Sequence, residues 1–331
     1  MLDKQVSVLV TAAGAEGTAG KILRLRRQGF RVVAVDADSR APGLYLADRG
    51  HVVPVGTSPD FVPELRRICS AEAVRAVVPL VDEELVPSWE LSGCGLEVLL
   101  PRLGMVSVCL DKLALMETLD KAGIGVPPTR LARFGPGDLA YPLIVKPRTG
   151  RGSRGVSIVR TPEELEAALA AAPEEPGAMI IQEYVDGPEF SVSVVVWRDG
   201  RVQAVVPKEV VLKDGSSRYA ISRRDEAVTR TCTRVARALG ADGPFNVQLR
   251  IGPDGVPRVF EINPRFSGSS TLTAAAGVDE IGLLILQALD PHRPRIEDRW
   301  REGVAMVRHA AEAFVTEAEL DVRGISLERT V

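Results

Sequence analysis

The strand pattern of this chain changes character near residue 105, and that change constrains the fold more than any other feature. Upstream, short apolar runs alternate with amphipathic stretches: 6–12 (VSVLVTA), 31–36 (RVVAVD), 51–55 (HVVPV), 76–80 (AVVPL) and 96–100 (LEVLL). The first intervening helix carries Ile22, Leu23 and Leu25 among basic residues. Apolar, β-branched runs separated by helices predict a parallel sheet with crossover connections. Downstream the runs pair instead. Residues 142–148 (PLIVKPR) and 155–160 (GVSIVR) flank a glycine-rich turn, and 178–185 (AMIIQEYV) follows a helix at 162–171 opened by Thr161 and Pro162. Residues 189–197 meet 201–207 across Arg198-Asp199-Gly200, and 245–251 meet 256–262 across Gly252-Pro253-Asp254-Gly255, both hairpin signals. Helices are expected at 111–123 and 225–239. The stretch 208–218 reads as a basic loop, and the last 40 residues carry no readable motif. The expected organisation is a Rossmann-like α/β domain over 1–105 and a second α/β domain over 106–331.

Composition narrows the partners. A net charge of −3 gives no broad basic face, which argues against nucleic acid. Cys69, Cys94, Cys109 and Cys232 show no CxxC spacing, and the histidines are only His51, His292 and His309, so zinc sites, disulfide frameworks and Ser-His-Asp machinery are disfavoured. The start, MLDKQVSVLVTAAG, lacks the marks of a signal peptide, and no apolar run reaches the ~18 residues of a membrane helix. The expectation is a cytoplasmic protein with no membrane partner.

The most informative stretch is residues 245–265, FNVQLRIGPDGVPRVFEINPR. Glu261 and Asn263 are two apart on a strand and share a face. Folding about the turn brings Gln248 opposite Glu261. One carboxylate and two amide oxygens are hard ligands that suit Mg²⁺, with Mn²⁺ as an alternative, and Arg265 lies just beyond, placed for a phosphate or an oxyanion. A solvated hairpin face would read the same way. Lys146 ends an apolar strand before Thr149-Gly150-Arg151-Gly152-Ser153-Arg154-Gly155, where glycines let backbone N–H groups approach a phosphate; a flexible hairpin tip is the alternative. This loop is not a Walker A motif. Glu189, after Asp186-Gly187-Pro188, could accept ribose hydroxyls or be a plain polar strand residue. Lys208 and Arg218 could hold a substrate carboxylate or belong to a mobile loop. Near the N-terminus, Gly14, Gly17, Gly20 and Asp36 imitate a dinucleotide fingerprint without its strict GxGxxG spacing, which leaves an NAD-dependent oxidoreductase as a competing reading.

In their order and spacing, Asp111-Lys112, Lys146-Pro147 with the glycine loop, Gln182-Glu183-Tyr184-Val185, Glu189, Gln248 and Glu261-Ile262-Asn263-Pro264-Arg265 resemble the ATP-grasp superfamily over roughly residues 1–290. The likeness is to the carbamoyl-phosphate synthetase large-chain type and the amino-acid ligases. The resemblance implies an N-terminal domain followed by an ATP-grasp domain with a small lid at about 127–185, and an ADP-forming carbon–nitrogen ligase using ATP and Mg²⁺. Lys112 and Lys146 would bind phosphates, and Gly152, Ser153 and Gly155 would close over them. Glu183, Tyr184 and Val185 would meet adenine, and Glu189 the ribose. Gln248, Glu261 and Asn263 would position magnesium, and Arg265 would act at the transferring phosphoryl group. The partners implied are a small carboxylate and a nitrogen nucleophile, and the chain could pair as a homodimer. One departure stands out: Gly268 occupies the place of a second arginine in carbamoyl-phosphate synthetases, which weakens the alternative of an enzyme activating bicarbonate.

Overall fold

The computed structural model describes residues 6–172 and 175–316. Its strands fall, in chain order, into three sheets. The first is parallel and contains β1 (Ser7–Val10), β2 (Arg31–Asp36), β3 (Arg49–Val52), β4 (Val74–Val78) and β5 (Glu97–Val98), in the order β3-β2-β1-β4-β5. Its connections are α1 (Thr18–Arg27), α2 (Pro42–Leu46), α3 (Phe61–Ala71) and α4 (Asp82–Trp89). The central strands β1, β2 and β4 are largely apolar on both faces, as a sheet covered on both sides requires, while β3 at the edge is Arg-Gly-His-Val. Val33, Val35, Leu9 and Val77 pack with Phe61, Leu65 and Ile68 of α3 on one face. Val8, Val10, Val32 and Ala34 pack with Ile22 and Leu25 of α1 on the other. The expected strand at 51–55 is shifted to Arg49–Val52, with the chain leaving the sheet before Pro54, which has no N–H for a ladder. The run at 96–100 pairs only at Glu97–Val98.

Two consecutive helices follow, α5 (Leu103–Leu110) and α6 (Lys112–Lys121). The sequence pattern showed only the second. Asp111 separates them, leaving α5 in an extended conformation and accepting from Leu113 N and Ala114 N, both at 3.1 Å, as the cap of α6.

The second sheet in chain order is antiparallel and small: β6 (Thr129–Leu131), β7 (Leu143–Pro147), β8 (Ser157–Val159) and β9 (Met179–Glu183), ordered β6-β9-β7-β8, with α7 (Pro162–Ala170) packed on it through Leu165. The third is a six-stranded antiparallel sheet of β10 (Glu189–Val196), β11 (Val202–Asp214), β12 (Ser216–Ser222), β13 (Phe245–Ile251), β14 (Pro257–Asn263) and β15 (Ala305–Val307), ordered β14-β13-β10-β11-β12-β15. Its core-facing valines pack on α6 and α8 (Glu226–Ala238) through Leu115, Leu119, Val228, Cys232 and Val235. Two further helices, α9 (Ser270–Ala276) and α10 (Glu280–Leu289), bring this sheet against the N-terminal one, where Val206 and Ile285 share a buried cluster with Val10.

Two expectations are corrected here. The 208–218 segment is no loop. It continues β11 to Asp214, turns at Gly215 with φ 64°, and returns as β12. Within the supposedly unreadable C-terminal stretch, β15 adds a sixth strand beside β12. Among the described residues no single helix is long and apolar enough to cross a membrane.

Candidate functional site

A cleft of ≈ 460 Å³ runs between the small sheet and the six-stranded one. Its walls follow from strand periodicity. On β13 and β14, Gln248 stands opposite Glu261 and Asn246 opposite Asn263, so alternate residues of both strands face the opening. Glu261 accepts from Gln248 Nε2 at 3.3 Å and from Asn263 Nδ2 at 3.1 Å. Arg265 donates to Asn263 Oδ1 at 2.8 Å and is anchored from behind by Asp82 of α4, Nε to Oδ1 2.9 Å. The four expected hairpin residues therefore form one connected patch.

From the small sheet, Lys146 is buried and donates to Gln182 Oε1 at 2.8 Å and to the Phe260 carbonyl at 3.3 Å. Burial pulls its ammonium down to about 8, with Glu261 pulling the other way and Lys112 and Lys213 reinforcing the drop. An anion beside Lys146 would restore its charge preference. Lys112, buried at the start of α6, donates to the Gly150 carbonyl at 2.6 Å and so ties the glycine loop to the cleft floor. The loop is sharply folded: Gly152 and even Ser153 have positive φ, 69° and 58°, exposing backbone N–H groups on a tight turn. Arg151 reaches across to Glu83 of α4 at 2.7 Å, joining the loop to the N-terminal part of the chain.

Glu183, Tyr184 and Val185 line the far end. The Glu183 carboxylate is turned away, accepting from Ala140 N at 2.8 Å, and its backbone N–H donates to Pro128 O at 3.0 Å, which leaves the backbone carbonyl as the group to meet a ligand edge. Glu189 is buried between Lys213 at 2.6 Å and Arg250 at 2.8 Å. Of the residues singled out in the sequence, Lys112, Lys146, Gly152, Ser153, Glu183, Tyr184, Val185, Glu189, Gln248, Glu261, Asn263 and Arg265 all border this cleft, whereas Gly155, Lys208 and Arg218 do not. Lys208 lies inside β11, fully buried, with its ammonium on Ser193 Oγ at 2.7 Å and Thr273 Oγ1 at 3.0 Å near Glu280. It is a core cation with its own partners, so the expected substrate contact is withdrawn. Arg218 pairs at 3.1 Å with Glu16, which does line the cleft.

The sequence reading missed Lys213, Arg250, Glu16, Lys21 and Arg308. Arg250 was legible, because it shares a face with Gln248 two residues earlier. Lys213 was hidden by taking β11 for a loop. Arg308 follows β15 in a stretch with no motif, and only the fold brings it to the cleft.

The dinucleotide imitation resolves differently. Asp36 accepts from Gly14 N at 2.7 Å and Asp38 N at 2.9 Å, so its carboxylate braces its own loop. The N-terminal end of α1 faces Gly268 and Arg308 of the cleft. Magnesium fits the hairpin patch by donor chemistry. Glu261 and two amide groups lie within hydrogen-bond reach of one another, and their O and N positions interchange by rotation. They would supply a few hard ligands and leave places for phosphate and water. Among the described residues no three His, Cys, Asp or Glu side chains converge, so no all-protein cage competes with this arrangement.

A parallel-sheet domain joined to two antiparallel sheets that face each other across a lysine-lined cleft defines the ATP-grasp architecture. Residues 175–311 match the family model described as ATP-grasp in the biosynthetic pathway with Ter operon, and residues 8–87 match that of the PylC-like N-terminal domain. Residues 175–311 thus carry an ATP-grasp match, and the chain as a whole has the ATP-grasp fold. Similar solved structures include carboxyaminoimidazole ribonucleotide synthase from Aspergillus clavatus complexed with ATP. It has 20% identity and a TM-score of 0.74, covering 92% of this chain and 81% of that one. L-amino acid ligase from Bacillus licheniformis has 21% identity and a TM-score of 0.70, covering 89% and 76%. The biotin carboxylase domain of Hydrogenobacter thermophilus 2-oxoglutarate carboxylase, in complex with MgADP and bicarbonate, has 19% identity and a TM-score of 0.72, covering 90% and 73%. At these identities the likeness is one of fold. The first family match extends past residue 290, where the sequence resemblance stopped, and so takes in β15 and Arg308.

Proposed function

We propose that this protein is an ATP-dependent carboxylate–amine ligase that activates its acid as an acyl phosphate and releases ADP and phosphate. The observation that carries this reading is the gathering of Lys112, Lys146, the 150–155 loop, the Glu261 patch and Arg265 around one part of a single cleft. An enzyme that attacks the α-phosphate would concentrate charge near the nucleoside instead. At the Glu183–Val185 end, where a base would stack and meet backbone groups, Arg250 donates to Tyr184 Oη at 2.9 Å and is neutralised by Glu189 at 2.8 Å, whereas Lys112, Lys146 and Arg265 stand with the glycine loop and the Glu261 patch.

Each residue then has a physical task. Backbone groups at Glu183 and Val185 meet the base, and Glu189 holds the ribose. Lys146 and Lys112 neutralise phosphate charge, and the loop N–H groups wrap the terminal phosphates. Bound magnesium would add charge neutralisation and in-line geometry at the phosphoryl group. Gln248, Glu261 and Asn263 would hold it. Arg265, fixed by Asp82 and Asn263, positions the acid and meets the oxyanion when nitrogen attacks. Phosphoryl transfer asks little else of a protein than positioning and charge.

The test supplies Mg-ATP, a panel of small acids and hydroxylamine in place of the amine. The reading expects a hydroxamate with one ADP and one phosphate for each. AMP and pyrophosphate would refute the acyl-phosphate step, and no acid-dependent nucleotide cleavage across a broad panel would refute the ligase.

A further inference from the structure

Beyond Arg265 the cleft closes on a group of cations that the nucleotide does not need. Arg308 lines the cleft, donating to the Gly268 carbonyl at 3.3 Å and to the Ser217 carbonyl at 3.1 Å. Gly268 is the position where the sequence lacks a second arginine, and the fold brings Arg308 from another segment to stand against it. Lys21, on the first turns of α1, leans back toward the helix N-terminus, as helical side chains do. A Cβ placed on Gly17 would lie 2.5 Å from Gly268 O, 3.1 Å from Arg308 Nη1 and 3.5 Å from Lys21 Nζ, so these three groups meet around one residue.

Lys21 is 4% exposed, yet its ammonium makes no hydrogen bond or ion pair with any described residue. Burial pulls it down to about 7, and Arg265 and Arg308 pull it further in the same direction. Glu280 pulls it the other way, but that carboxylate accepts from Ser193 Oγ at 2.9 Å and acts on Lys208 as well; Asp82 is committed to Arg265, and Glu16 to Arg218 at 3.1 Å, Arg308 at 3.4 Å and Ser216. The α1 N-terminus adds to the imbalance, since it has neither a side-chain cap nor an acidic residue in its first turn. The hydroxyls of Thr18 and Ser270, in the first turns of α1 and α9, are buried and unpaired as well. A buried, unpartnered ammonium beside a guanidinium and an open helix N-terminus is costly unless an anion completes it.

We propose that Lys21, Arg308 and the α1 N-terminus form a subsite for a second anionic group of the acid substrate, separate from the carboxylate that reacts at Arg265. The inference rests on the ligase reading for the word substrate, and it names the class: small acids with two anionic groups, such as dicarboxylic acids. Bicarbonate and simple monocarboxylic acids would leave Lys21 uncompensated.

The test measures binding and does not require turnover. Succinate, glutarate and glutamate are titrated calorimetrically into the Mg-AMPPNP complex of the full chain, beside acetate, butyrate and bicarbonate. Lys21→Met and Arg308→Lys are treated in the same way, and thermal melts are recorded. At least one dianionic acid should bind ten-fold or more tighter than every monoanion. Lys21→Met should erase that margin, leave Mg-AMPPNP affinity unchanged and raise Tm by about 2 °C or more, because an unpaired buried charge is removed. Arg308→Lys should fold normally and keep part of the margin. Equal binding of monoanions and dianions, or an undiminished margin in Lys21→Met, would overturn the subsite, as would a fall in Tm for Lys21→Met. Lys21-dependent dianion binding without any acid-dependent ADP release would instead remove the ligase reading and leave the subsite standing.

Discussion

Replacing Glu261 by glutamine isolates the charge of the hairpin patch from its shape. The side chain accepts two amide donors, Gln248 Nε2 at 3.3 Å and Asn263 Nδ2 at 3.1 Å, and glutamine keeps its length and volume. Both contacts are long, and Glu261 and Gln248 are only half-buried, so the fold should lose about 1 kcal/mol at most. In a chain of this size that moves Tm by a few degrees at most. The ligand effect should be larger, because the one carboxylate of the patch is replaced by a neutral amide. A charge-assisted contact with a divalent cation is worth about 2–3 kcal/mol more than a neutral one in a site of this burial, equivalent to a ~30–150-fold change. Calorimetric titration of ATP with and without Mg²⁺ reads this directly. The variant should bind metal-free ATP as tightly as the parent or more tightly, since a negative charge facing phosphates is gone. The tightening produced by Mg²⁺ should shrink by one to two orders of magnitude. An undiminished Mg²⁺ increment would show that Glu261 is not a principal ligand, whatever happens to turnover.

Three other perturbations probe separate parts of the molecule. Glu189→Gln should bring the affinities for ATP and 2′-deoxy-ATP within about three-fold of each other, because the carboxylate expected on the ribose is lost while the Lys213 and Arg250 contacts are only weakened; retention of the parent's preference in a nucleotide competition assay would remove Glu189 from the ribose site. Arg151→Ala cuts the link from the glycine loop to Glu83, a pair with one-quarter to two-fifths of each side chain exposed, so its loss should cost under ~1 kcal/mol of global stability but increase tryptic cleavage within 148–156 several-fold in the nucleotide-free protein. Cleavage unchanged from the parent would mean that this pair does not hold the loop. Glu84 is buried beside Thr11, and burial, with Asp36 adding to it, pushes its carboxyl up to about 7. A raised folded value gives stability that is full below the usual carboxylate range and lost as pH rises through 7. Chemical denaturation at pH 5 and pH 8 should therefore show Glu84→Gln flattening the decline by up to about 3 kcal/mol, and an identical pH slope in the variant would contradict the assignment.

The parallel N-terminal sheet was legible because its central strands β1, β2 and β4 are largely apolar on both faces, and a continuous β-branched run between turn residues has few other solutions. The hairpin patch was legible because period-two alternation puts Gln248, Glu261 and Asn263 on one face once the turn is located. What escaped the sequence was long-range. The 208–218 segment mixes Lys208, Glu209, Lys213 and Asp214 with Val210, Val211 and Leu212, a polar pattern that reads as a loop until β10 and β12 supply ladder partners on either side. Lys208 then reads as a ligand from its charge, although Ser193, Thr273 and Glu280, all distant in sequence, make it a core residue. Lys21 failed the opposite way. On α1 it looks like one more basic surface residue among Arg24, Arg26 and Arg27, and its burial depends on α9 and Arg308 packing over the helix start. Sequence periodicity reports which face of an element is apolar, and it says nothing of which foreign segment will cover a polar position.

The central claim is that the γ-phosphoryl group of ATP passes to a carboxylate in this cleft, and positional isotope exchange tests it without the amine. ATP carrying ¹⁸O in the β–γ bridge is incubated with Mg²⁺, the protein and the acid alone, and the label is followed by ³¹P NMR. Reversible acyl-phosphate formation frees the β-phosphate to rotate, so bridge label should scramble into β-nonbridging positions only when the acid is present, and Lys146→Met and Glu261→Gln should suppress it. Acid-dependent incorporation of labelled pyrophosphate into ATP, with no β–γ scrambling, would contradict the account.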